Sequence, residues 1–222
     1  LYTTPSQEPS DAWLTHLCIH EFRHVVQYDK VNQGLSKVLY YLFGEQYTMA
    51  LIGVYLPMWL LEGDATVFET AAGSSGRGRS PEFLNEIKAQ VMEKGIYYYY
   101  KAVLGSDKDN IPGRYNFGYY MVGAGRAHYG DEIWADVFTR VGRKPWSILP
   151  VTQSLKKTQK AKRDSLWNSS HYQSLFVNPE KVKQANRNSD PVRVLYRDNF
   201  CELHQIWKQE IRDIQHRFDT IP

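Results

Sequence analysis

Apolar positions along the chain recur at spacings of three and four far more often than they alternate, so the pattern predicts helices and very few strands. Residues 1–10 read as an extended lead-in, and Ser10 or Asp11 can cap a helix running to about Lys30. Its positions Trp13, Leu14, Leu17, Cys18, Val25 and Val26 form a broad apolar face, which predicts a buried helix with Cys18 as a small buried hydrophobe. Gly34 breaks that helix. Helices are predicted next over about Leu35–Leu42 and Glu45–Tyr55, the second stopped by Pro57, and then over about Met58–Thr70. A Gly/Ser/Arg loop follows at 73–80, and Pro81 suits the first turn of a helix to about Lys94. The run Tyr97–Tyr100 begins a short helix or strand. Residues 115–129 and 131–141 read as two helices separated by Gly130.

Beyond residue 150 the character changes. Lys156–Arg163 is a basic run, read as a solvated helix face, and Val177–Pro191 is polar and weakly patterned. Val194–Phe218 is amphipathic, with Leu195, Phe200, Leu203, Trp207, Ile211 and Ile214 at helical spacing. The expected architecture is mainly α, one domain over 1–222 with a helical core at 1–145 and a C-terminal helical extension at 146–222. Composition changes this picture little. A formal net charge of +3 gives no electrostatic case for nucleic acid as partner. The apolar stretch Met49–Leu61 is interrupted by Pro57 and too short to span a bilayer, so no transmembrane segment is expected. The chain opens at Leu1 without a basic-then-apolar leader and reads as part of a longer polypeptide. Its 16 tyrosines suit a polar cleft, since the ring packs while the hydroxyl reaches water or ligand.

The candidate chemistry begins at His20-Glu21-Phe22-Arg23-His24. On a helix, positions i and i+4 share a face, so both imidazoles can reach one metal ion, and Glu21 can take a proton from a water that the metal activates. His16 lies on the same stripe, but it stands about 12 Å from His24 along a helix axis. It is read as packing or as support for the site. Glu62, in Pro57-Met58-Trp59-Leu60-Leu61-Glu62-Gly63-Asp64, is the better third ligand. It follows an apolar segment, where a carboxylate is costly unless paired or metal-bound. A helix-start glutamate favoured by the helix dipole is the bland alternative.

HEFRH followed by WLLEGDA resembles the gluzincin zinc metallopeptidases, which include thermolysin-like, aminopeptidase N-like and peptidase MA-like enzymes. The resemblance covers roughly residues 10–145 and implies one Zn2+ held by His20, His24 and Glu62, with Glu21 as general base in peptide-bond hydrolysis. Residues 25–57 then form a helical insertion between the two metal helices. The segment RYNFGYYMVGAGRAHYG at 114–130 resembles the one that supplies an oxyanion donor in aminopeptidase N-like enzymes. That match implies Tyr115 in this role, with Tyr119 second and His128 third. Thr66 stands where many relatives carry an acidic residue. Thr66, Asp64 or Glu69 is expected to orient a metal-bound histidine. Arg77 and Arg79 are candidates for substrate binding through paired N–H donors, with a solvated turn as the alternative.

In such families a mixed sheet precedes the HExxH helix and binds the substrate backbone, whereas only 19 residues precede His20 here. The resemblance further implies an exported bacterial protein acting outside the cytoplasm on peptides or proteins, with a β-propeller elsewhere in the polypeptide. A zinc-binding but catalytically inactive domain, serving binding or assembly, is the alternative expectation.

Overall fold

The computed structural model describes residues 13–73, 75–158, 175, 177 and 190–219. The secondary structure is helical. α1 spans Trp13–Val31, α2 Leu35–Phe43, α3 Glu45–Tyr55 and α4 Met58–Ala72. A 3-10 turn follows at Arg77–Arg79, then α5 over Pro81–Lys94 and α6 over Tyr99–Leu104. α7 covers Arg114–Tyr129, α8 Ile133–Arg143, α9 Pro150–Thr158 and α10 Pro191–Asp219. The mainly α expectation is met, and among the described residues the strand-type pairing is a single bridge at Ile96. α9 adds a helix that takes in the start of the basic run at 156–163; the rest of that run lies outside the described residues, as does nearly all of 177–191.

The chain forms two compact units, Leu1–Leu84 with Arg114–Lys160 and Asn85–Gly113 with Ala161–Pro222. The seams thus fall elsewhere than residue 145. In the first unit α1 and α7 both pack on α4. Two glycines explain how closely α7 approaches. A Cβ on Gly63 would lie 2.3 Å from the Gly118 backbone, and one on Gly118 would lie 2.1 Å from the Trp59 carbonyl oxygen. Only hydrogen fits there, so the two backbones meet and the start of α7 is drawn against the middle of α4. Beside this crossing Trp59 makes edge-to-face contacts with Phe117 and Trp134, at 6.0 and 5.8 Å between centroids. The Trp134 indole N–H donates to the Val122 carbonyl at 2.9 Å, so the buried ring leaves no donor unpaired.

α2 and α3 meet at Gly44, whose φ of 71° is one that L side chains rarely adopt, and whose N–H closes α2 on the Tyr40 carbonyl. The polarity of α2 is inverted. α2 buries only Ser36, while Leu35, Val38, Tyr41, Leu42 and Phe43 are exposed. No single helix among the described residues is long and apolar enough to cross a membrane; α3 and α4 together reach that composition but bend by 101°, and most of α4 is buried.

In the second unit, α6 packs against α10. Tyr196, buried, donates its hydroxyl to the Tyr97 carbonyl at 2.7 Å and packs edge-on against Tyr99 and at a tilt against Phe200. The expected buried face of α10 holds from Leu195 to Trp207; beyond it Ile214 and Phe218 are exposed.

Candidate metal centre

α1 departs from its expected apolar face. The residues it buries are His20, Gln27 and Val31, while Leu14, Cys18, Phe22 and Val25 are exposed. His20 and Gln27 are seven apart, two turns along one stripe, with Arg23 and His24 between them half-buried. This polar stripe faces α4, whose buried positions include Glu62, Asp64, Thr66 and Glu69. Polar groups on each helix supply the partners that the other needs once water is excluded.

His20, His24 and Glu62 converge. One ligand atom from each lies within 4.8 Å of the others. His20 Nε2 is 3.3 Å and His24 Nε2 is 3.5 Å from the same oxygen, Glu62 Oε2. A tetrahedral ion with bonds of about 2.0–2.1 Å sets its ligands roughly 3.3–3.4 Å apart. Two imidazole nitrogens and a carboxylate oxygen at these separations form a group that can hold a metal ion.

The surrounding hydrogen bonds hold both imidazole rings in place beside Glu62. Gln27 is buried, and its amide N–H groups donate to the Leu61 carbonyl at 3.0 Å and to Asp64 Oδ2 at 2.9 Å. Its oxygen therefore faces His24 Nδ1, at 2.9 Å, and can only accept. His24 thus carries a proton on Nδ1 and turns Nε2 toward Glu62. For His20, Nδ1 stands 2.9 Å from Glu69 Oε2. Arg77 Nη2 stands 2.8 Å from the same nitrogen, so Nδ1 lies between a carboxylate oxygen and a guanidinium donor, while Nε2 faces Glu62. Arg77 closes this arrangement: its Nε donates to Glu69 Oε1 at 2.7 Å and its Nη2 to Oε2 at 2.9 Å. Asp64, wholly buried, accepts two bonds from Arg23 at 2.8 and 3.2 Å and one from Arg126 at 2.9 Å, besides that from Gln27.

Charge follows geometry. Burial opposes protonation of His20, but bonds to Glu62 and Glu69 outweigh it and raise its pKa. His24 is raised chiefly by Glu62. Burial alone would push both carboxylates up. Instead the two histidines hold Glu62 far below the usual carboxylate range, and His20 with Arg77 brings Glu69 down to about 2. Each glutamate is thus an anion at neutral pH, which suits a cation at the centre.

The remaining candidates divide. Tyr115 reaches the centre, its ring 6.1 Å from that of His20 and beneath the Arg77 guanidinium at 4.7 Å. Glu21 follows His20 on α1 and is exposed, outside the buried cluster. Tyr119 turns to the 3-10 turn, where its ring fills the space that a Cβ on Gly78 would need. Arg79 donates to the Thr70 carbonyl at the end of α4, so Arg77 is the arginine of this loop that meets the metal cluster. Thr66 bonds back to the Glu62 carbonyl at 2.8 Å and His16 bonds Ser75, so neither orients a ligand histidine. His128 is half-buried near the end of α7. Gln27 went unread in the sequence. Its signal is spacing, three residues after His24 on the same stripe. No family model, curated protein or solved structure matches the chain.

Proposed function

We propose that this chain is a zinc-dependent peptidase of the gluzincin kind, with one zinc held by His20, His24 and Glu62 and with Glu21 as general base. The observation that carries this reading is the convergence of His20 Nε2 and His24 Nε2 on one oxygen of Glu62, at 3.3 and 3.5 Å. A mixed N/O donor set of two imidazoles and one carboxylate suits zinc and is typical of hydrolytic sites. Zinc, when bound, supplies Lewis acidity, lowering the pKa of a water and polarising a carbonyl.

The chain's own groups supply the rest. Glu21 is exposed and adjacent to His20, so its carboxylate is open to a substrate and can accept a proton and later deliver it to a leaving amine. Glu69 and Gln27 hold the Nδ1 sides of the ligand histidines and keep the rings from rotating. Tyr115, beside His20, supplies a hydroxyl donor for the developing oxyanion. Burial of Glu62 and His20 excludes water from the ligand side of the centre.

Zinc binding without hydrolysis is the second reading. The elements around the centre are helices, which offer an extended peptide few free backbone partners. Metal analysis and a peptide-library assay on Glu21→Gln separate the cases. The expected outcome is about one equivalent of zinc in both forms and a loss of hydrolysis of roughly 100-fold or more in the variant. Undiminished hydrolysis would remove Glu21 from its role. Zinc without hydrolysis in the native chain supports the second reading, and the absence of bound zinc defeats both.

A further inference from the structure

The metal centre has a cationic rim. Arg114 opens α7, its side chain 53% exposed, with Nε 3.7 Å from Glu62 Oε1 and its guanidinium carbon 5.5 Å from the Tyr115 ring centroid. Glu62 Oε2 is the oxygen that faces the histidines, so Arg114 meets the other one. Arg77, on the same tyrosine ring, differs in kind. It is bound at both ends of its fork by Glu69, a pair that is closed electrostatically.

Glu62 cannot serve two cations fully. Once its charge is shared with a divalent ion, it neutralises Arg114 only weakly. The occupied centre then holds the ion's two positive charges and Arg114 against Glu62 and Glu21, while Arg77 and Glu69 cancel, which leaves an excess of positive charge. Arg114 is more than half exposed and carries a planar fork that matches a carboxylate. Resting on the zinc reading above, we propose that Arg114 is a specificity residue that binds a carboxylate of the substrate beside the metal, so that the preferred substrates are peptides presenting an anion next to the bond broken. The carboxylate has two sources, a peptide C-terminus or an acidic side chain.

Binding calorimetry on the zinc-loaded protein tests this without relying on turnover. Two pairs of metal-binding probes are compared: hydroxamate-capped dialanine with a free or an amidated C-terminus, and hydroxamate-capped glutamate amide against glutamine amide. The expected result is a preference of about tenfold for the anionic member of one pair, as for a charge-assisted hydrogen bond near a cation. The first pair assigns a C-terminal carboxylate and the second an acidic side chain. Arg114→Gln should retain zinc and reduce the preference below about twofold, with binding of the neutral probes unchanged, while Arg114→Lys keeps part of it. Equal affinities within both pairs for the native protein overturn the proposal whatever the variants do. So does zinc-loaded protein that binds none of the probes. Failure to bind zinc at all overturns the parent reading first.

Discussion

α4 and α2 are both strongly apolar helices of the same unit, and they treat their apolar residues in opposite ways. α4 takes even Glu62, Asp64, Thr66 and Glu69 into the interior, whereas α2 leaves Leu35, Val38, Tyr41, Leu42 and Phe43 at the surface. Hydrophobicity does not separate them; partners do. Every buried carboxylate on α4 meets cationic or N–H groups from α1, α7 or the 3-10 turn, so desolvation is offset by charge-assisted bonds. α2 packs less closely, and its exposed apolar side chains contribute little to the core.

The sharpest way to break this contrast is Asp64→Ala. That change leaves Arg23, Arg126 and Gln27 without their common acceptor, and a loss of about 3–5 kcal/mol in unfolding free energy is expected by chemical denaturation. A loss under about 1 kcal/mol would mean that the network holds position but not stability. Gln27→Leu acts on the same network at the point where it meets the candidate metal centre. With His24 Nδ1 no longer held, zinc affinity should weaken roughly 10- to 100-fold by competition with a chelating dye, while the fold persists by circular dichroism. Unchanged affinity would show that His24 holds its tautomer without help.

pH sharpens the contrast from another side. In the metal-free protein the histidine pKa values are raised above 6.5 and that of Glu62 lies below 4.5. The histidine contribution to stability is full below pH 6.5 and is lost as pH rises through the raised values. The Glu62 contribution is full above pH 4.5 and is lost as pH falls through the depressed value. Their attraction therefore stabilises most between pH 4.5 and 6.5. Zinc affinity has the opposite sign, because the ligands must be deprotonated. From about pH 6 to about pH 8 metal-free thermal stability from this cluster should fall while zinc affinity rises. Melting curves and zinc titrations that move in the same direction would contradict the arrangement. The smallest effect is expected on α2. Tyr41→Ser with Leu42→Ser should change unfolding free energy by no more than about 0.5 kcal/mol per site, since both side chains are exposed.

Much of this centre is legible from residue spacing. The i, i+4 histidines on one helix and a carboxylate inside an apolar segment name the three ligands, and the fold brings them together. The helix boundaries are legible too: α3 and α5 end where Pro57 and Gly95 require a change of backbone direction. α1 is where pattern misleads. Its apolar residues outnumber its polar ones on the expected face, yet Val25 and Leu14 are exposed while Gln27 is buried, because the helix opposite presents carboxylates and not a hydrophobic groove.

What the sequence determined by itself is local: helical periodicity, the breaks at Gly34, Gly44 and Pro57, and the donor types of a candidate metal centre. Tertiary structure decided which polar groups share an interior. Gln27 orients His24 only because α4 supplies Leu61 and Asp64 to hold its amide, and Arg77 rather than Arg79 meets Glu69 only because of how the 3-10 turn folds back on α4. Periodicity records how often a face is apolar. It carries no information about the donors and acceptors on the facing helix, and those set the cost of burying a charge.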